Sequence, residues 1–124
     1  MGKKILIIDD EELIIRSLSK LLEKNGYEVF VAKKGQDALL MFEEETFDLL
    51  IVDIRMPGMN GIETTQGIYK ILEEKSPKRL PTIFITGYAD QKIEKEARAL
   101  KPAAYIYKPF DIEELVDRIK EVLK

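Results

Sequence analysis

Apolar positions along this chain follow two alternating rhythms. Short runs, Lys4 to Ile8, Tyr27 to Ala32, Leu49 to Asp53, Thr82 to Thr86 and Ala104 to Tyr107, are bounded by charged or turn residues and read as strands. Between them apolar residues recur every three or four positions. The sets are Leu13/Ile14, Leu18 and Leu21/Leu22; Ala38, Leu39 and Phe42, from Gly35 to about Glu45; Ile62, Thr65, Ile68/Tyr69 and Leu72; Ile93, Ala97 and Leu100; and Ile112, Leu115/Val116, Ile119 and Val122/Leu123. That spacing predicts five amphipathic helices. Asn25-Gly26 and Ser76-Pro77 are stop signals, and Asp90 and Asp111 are N-cap candidates. Five strands alternating with five helices through short loops predict an α/β fold, a doubly wound five-stranded parallel sheet. Residues 1–124 are expected to form one domain, since the last helical pattern runs to the end of the chain.

Composition narrows the chemistry. The 124 residues are 45% hydrophobic and 35% charged with a formal net charge of -3, and lysines are interspersed with acids. No basic excess points to nucleic acid. Cysteine and histidine are both absent, which removes thiol catalysis, disulfides, imidazole acid–base chemistry and the usual zinc sites. Any metal must be held by oxygen, which favours a hard cation such as Mg²⁺, with Mn²⁺ as the alternative. Apolar runs are far shorter than a membrane span, and Met1-Gly2-Lys3-Lys4 leads directly into a strand, so no membrane insertion or signal peptide is expected and cytoplasm is the default.

Chemistry-bearing side chains gather at the carboxyl ends of the strands. Asp9-Asp10 come directly after the first, Asp53 ends the third before a Pro/Gly loop, Thr86 ends the fourth, and Lys108 comes directly after the fifth. Ligands bind at the carboxyl edge of such sheets, at the switch point where strands one and three lie side by side in the order 2-1-3-4-5. Three aspartates should therefore converge there. Their mutual repulsion calls for a cation or an ammonium. A divalent ion on Asp10 and Asp53 would resolve it, with Lys108 reaching in and Thr86 supplying a donor. An Asp so placed is arranged as a nucleophile toward a phosphoryl group. Taken singly, each residue has a plainer reading: Asp9 or Asp10 as a helix N-cap, Asp53 as a turn residue, Thr86 as a β-former, Lys108 as a solvated lysine. None of these readings predicts a relation among the strand ends.

Four motifs stand in order along the whole chain: Asp9-Asp10, Asp53-x-x-x-Pro57-Gly58-Met59-x-Gly61, Thr86-Gly87-Tyr88 and Tyr105-x-x-Lys108-Pro109-Phe110. They resemble the receiver domain of bacterial two-component response regulators, with its flavodoxin-like, CheY-like fold. The resemblance implies that Asp53 is phosphorylated. It further implies that Mg²⁺ is bound by Asp10, Asp53 and the backbone carbonyl of Arg55, with Asp9 acting through metal-bound water. Thr86 and Lys108 resemble the phosphoryl-binding pair, and Thr86 and Tyr105 the switch pair. The peptide between Lys108 and Pro109 is expected to be cis. Such a domain catalyses its own phosphorylation and dephosphorylation rather than turning over a separate substrate. It takes its phosphoryl group from a histidine kinase or phosphotransfer protein and signals to an effector protein or domain through the face of the fourth helix, fifth strand and fifth helix. A homodimer on that face is compatible with the pattern, but nothing in Ile93, Ala97 or Val116 demands it. Thr86 drawn toward the phosphoryl group should let Tyr105 swing its hydroxyl from solvent to cover. Arg55 and Tyr88, overhanging the path of attacking water, are expected to lengthen the phosphoryl lifetime.

One departure from the family pattern is Lys101-Pro102, where Gly-Ala is common. Proline pushes the preceding residue toward extended angles, so no left-handed cap is expected and the fourth helix should end early or fray. Other functions fit less well. A phosphatase with an Asp nucleophile would want a second acid where Arg55 stands, and a flavin phosphate would be repelled by Asp9-Asp10-Glu11-Glu12. A phosphorylation-independent scaffold would have no use for the complete set of Asp9, Asp10, Asp53, Thr86 and Lys108.

Overall fold

The computed structural model describes residues 2–75, 80–87 and 90–124. Its elements run β1 (Lys4–Ile8), α1 (Glu12–Lys24), β2 (Glu28–Ala32), α2 (Gly35–Glu44), β3 (Leu49–Asp53), α3 (Gly61–Lys75), β4 (Thr82–Thr86), α4 (Gln91–Ala99), β5 (Ala104–Tyr107) and α5 (Ile112–Val122). The strands form one parallel sheet in the order β2-β1-β3-β4-β5, as the alternation of patterns predicts. Among the described residues no helix is long and apolar enough to cross a membrane. The expected stop at Ser76-Pro77 lies outside the described residues.

Period-two alternation along the strands sorts the core into two layers. Ile5, Ile7, Leu49, Ile51, Ile83 and Ile85 face one side, where they pack on Leu18 and Leu22 of α1 and Leu115, Val116 and Ile119 of α5. Leu6, Ile8, Leu50, Val52 and Phe84 face the other and meet Ala38, Phe42, Ile62, Ile68 and Ala97 from α2, α3 and α4. Because helices cover both faces, the central strands are apolar without interruption. Within α1 the buried stripe is Ile15, Leu18 and Leu22. Leu13, expected on that stripe, is 78% exposed beside the β5–α5 loop, because it lies about 140° round the helix from Leu18.

Helix ends bear directly on the site. Asp90 accepts from the N–H groups of Lys92 and Ile93 (2.9 and 3.1 Å), and Asp111 accepts from those of Glu113 and Glu114 (2.9 and 3.4 Å). Helix α3 opens on a reciprocal box: Asn60 Oδ1 accepts from Glu63 N–H at 2.9 Å, while Glu63 Oε1 accepts from Asn60 N–H at 3.0 Å. Helix α1 has no side-chain cap bond at its N-terminus. Neither Asp9 nor Asp10 caps it, which removes the plainer reading of that pair. After Asn25, Gly26 at φ +90° closes α1, with its N–H on Glu23 O at 3.0 Å and Tyr27 N–H on Leu22 O at 3.1 Å.

Lys101 corrects the sequence expectation. It has φ +54°, so a left-handed cap forms although neither glycine nor asparagine is present. Its N–H donates to Arg98 O at 2.9 Å, and two residues on Ala103 N–H donates to Thr82 O at 2.8 Å. Closing the helix and entering β5 across only four residues requires this sharp reversal, whose cost for a non-glycine residue is about 1 kcal/mol. Helix α4 therefore ends in an ordered cap and does not fray.

Gly61 holds the β3–α3 junction at close range. A Cβ there would meet Asp53 O at 2.4 Å and Ile54 Cα at 2.8 Å, both of them backbone. Gly61→Ala should destabilise the fold by about 2–3 kcal/mol, measured as a lower urea midpoint, with displaced amide signals at Asp53 and Ile54.

Candidate phosphoacceptor site

Register alone brings the site residues together. Ile8 pairs with Val52, Asp53 with Ile85, and Thr86 with Tyr107, so Asp9, Asp53, Thr86 and Lys108 sit within two register steps of one another across four strands. Main-chain bonds continue past the strand ends: Asp9 N–H to Ala32 O (3.1 Å), Ile54 N–H to Ile85 O (3.0 Å) and Lys108 N–H to Thr86 O (2.8 Å).

Asp9, Asp10 and Asp53 each bring a carboxylate oxygen to within 4.8 Å of the other two. Asp9 and Asp53 are buried, at 1% and 4% exposure, and Asp10 is open to solvent. Asp9 Oδ1 accepts the Glu11 N–H at 2.9 Å and Asp53 Oδ1 the Arg55 N–H at 3.2 Å. Lys108 Nζ lies 3.3 Å from Asp53 Oδ2 and 3.7 Å from Asp9 Oδ2. Burial, and then the charge of Asp9, push Asp53 up to about 7, with Lys108 only partly countering them. Burial likewise raises Asp9. Lys108 is raised too: burial favours its neutral form, but the Glu11 hydrogen bond and the charges of Asp9 and Asp53 outweigh it.

The arrangement suits a hard divalent cation. Asp9 Oδ2 is buried with no hydrogen-bond partner, and the three facing oxygens can only accept when ionised. One ammonium beyond hydrogen-bonding range of Asp9 does not balance this set.

The family model for the response regulator receiver domain matches residues 5–120. The chain belongs to the response-regulator receiver family. It is 38% identical over 120 residues to the transcriptional regulatory protein CrdR of Helicobacter pylori, covering 97% of this chain and 54% of that one. It is 35% identical over 123 residues to the sporulation initiation phosphotransferase F of Bacillus subtilis, covering 99% and 95%. Among solved structures, a CheY-like receiver domain protein from Methanospirillum hungatei superposes with a TM-score of 0.89 at 34% identity, over 99% of this chain and 94% of that one. The chain thus spans about half the length of one curated relative and nearly all of another.

The structure also places the other receiver-domain positions read from the sequence. Thr86 is buried at 1% exposure beside the trio, and the Lys108–Pro109 peptide is cis. Arg55 is exposed, and Tyr88 lies outside the described residues. Tyr105 differs from expectation, because its hydroxyl is already buried and has no hydrogen-bond partner among the described residues. The ring stacks edge-on to Phe84 and Tyr107, with the Arg98 guanidinium 5.2 Å from its centre. Burial first, and then Tyr107 and Glu94, push Tyr105 up to about 12. Rotation from solvent to cover is therefore not the motion open to it from this state. Sequence reasoning missed Glu11, whose Oε1 accepts from Lys108 Nζ at 2.5 Å. Its one signal is adjacency to Asp9-Asp10, since the contact spans 97 positions.

Ionised Asp53 opposes folding in the metal-free protein. Its pKa is raised over the unfolded value, so the associated stability is full below about pH 4 and lost as pH rises through about 7. In chelator at about pH 8, Asp53→Asn should stabilise the fold by about 2 kcal/mol. Paired thermal melts should show this gap narrowing as pH falls through about 7 and closing by about pH 4.

Proposed function

We propose that Asp53 is the phosphoacceptor of a two-component phosphorelay and that this chain forms one receiver domain. The observation that carries the reading is a buried Asp53 carboxylate at the sheet edge, flanked by Asp9 and Asp10, with Lys108 Nζ at 3.3 Å and Thr86 on the adjacent strand. The donor is a phosphohistidine on a kinase or phosphotransfer protein. An Asp53 Oδ lone pair forms the new O–P bond while the donor N–P bond breaks, its electron pair leaving with the imidazole, which is protonated from water. Mg²⁺ bound by Asp10, Asp53 and the Arg55 carbonyl, with Asp9 acting through water, would supply charge neutralisation between carboxylates and phosphoryl oxygens. Lys108 offsets charge on an equatorial oxygen, and the Thr86 hydroxyl donates to another. Exposed Arg55, together with Tyr88, shields the acyl phosphate from water.

Output to an effector protein or domain would run through α4, β5 and α5. Tyr105 starts covered and unpartnered, so an inward shift of Thr86 offers it a different packing and its hydroxyl a partner. That is a two-state element of the kind switching requires.

Incubation with acetyl phosphate and Mg²⁺ should add one phosphoryl mass, and Asp53→Asn or chelator should abolish it. Undiminished labelling of Asp53→Asn would refute the assignment. Thr86→Ala should still be labelled yet lose the response of Tyr105. Amide shifts over 91–107 that change equally in wild type and Thr86→Ala on phosphorylation would rule out this route.

A further inference from the structure

We infer that Glu11 is a positioning residue that shares the Lys108 ammonium with Asp53, and that the cost of drawing the ammonium away from Glu11 slows phosphorylation of Asp53. The inference rests on the reading of Asp53 as the acceptor.

The geometry is unequal. Lys108 Nζ stands 2.5 Å from Glu11 Oε1, against 3.3 Å from Asp53 Oδ2 and 3.7 Å from Asp9 Oδ2. Its shortest, charge-assisted bond is thus to a residue outside the aspartate trio. The two partners differ in freedom: the Lys108 side chain is 13% exposed and that of Glu11 is 53% exposed. Glu11 can turn into water when the contact breaks, whereas Lys108 stays in the pocket wherever Glu11 goes. Glu11 is also committed to this position. Its N–H is bonded to Asp9 Oδ1, and its carboxylate makes no cap bond to α1 although it stands at the N-cap. The backbone ties Glu11 to the acid cluster, and the side chain serves Lys108 rather than the helix.

An incoming phosphoryl group brings two or more negative charges that Lys108 must meet as the O–P bond to Asp53 forms. Lys108 transfers no proton in that step and acts only as a placed charge. A cation among the aspartates would repel the ammonium, strengthening its preference for Glu11. The contact with Glu11 must therefore loosen on the way to the phosphorylated state and can re-form when phosphate is lost.

The test is a time course of intact mass with acetyl phosphate at saturating Mg²⁺, on wild type, Glu11→Gln, Lys108→Ala and the double variant. Glu11→Gln should be phosphorylated about three- to tenfold faster, the scale of one partly exposed ion pair. In the Lys108→Ala background the same change should alter the rate by less than about twofold. An equal gain in both backgrounds would mean simple repulsion of the anionic donor, and the inference fails. No gain in either fails it as well. A second readout needs neither phosphate nor metal: the ¹⁵N signal of the Lys108 ammonium, assigned by its loss in Lys108→Arg, should shift in metal-free Glu11→Gln. An unmoved signal overturns the contact. Wild type that takes up no phosphate overturns the acceptor reading instead, and the ammonium signal still judges Glu11.

Discussion

Crowding of carboxylates at the edge of a buried sheet is the constraint on which the site depends. Asp9 and Asp53 are almost without solvent, yet each stands at the end of a strand rich in buried apolar side chains. Desolvation and mutual repulsion both disfavour their charged forms. Among the described residues, the donors that meet them include the main-chain N–H groups of Glu11 and Arg55 and the ammonium of Lys108. One oxygen of Asp9 is left over. A site balanced this narrowly responds strongly to any added charge, which is what a phosphorylation switch requires.

The fold supplies rigidity where the site needs it. Four parallel strands deliver residues at consecutive register positions, and main-chain bonds persist one step past the strand ends. Gly61 lets α3 start against the carbonyl of Asp53 itself, so the backbone of that residue is backed closely by the helix. Side chains that would ordinarily cap α1 are directed into the cluster instead. The helix gives up a cap worth about 1 kcal/mol, and the site gains its acids.

Away from the acids, α4 and β5 are joined by a set of polar and aromatic contacts. Glu94 accepts from the Tyr107 hydroxyl and from Arg98 Nε, the latter at 2.8 Å, and the Arg98 guanidinium lies over the Tyr105 ring. These contacts surround the buried Tyr105 hydroxyl and hold it in place without satisfying it.

The sequence by itself determined the element order, the parallel sheet and the convergence of Asp9, Asp10, Asp53, Thr86 and Lys108. Hydrophobic periodicity is a local property, and strand order then fixes what the strand ends share. Asp90 and Asp111 were legible as caps for the same reason: a cap bond reaches only two or three residues. What only the tertiary structure decided involves long-range competition. Lys101 takes a left-handed cap because only four residues separate α4 from β5, a demand that overrides the preference set by Pro102. Tyr105 is covered because Phe84, Arg98 and Tyr107 pack around it. Glu11 meets Lys108 across 97 positions, and no local pattern encodes which of several nearby carboxylates a lysine will choose. That choice is made by distance and solvent in the assembled site.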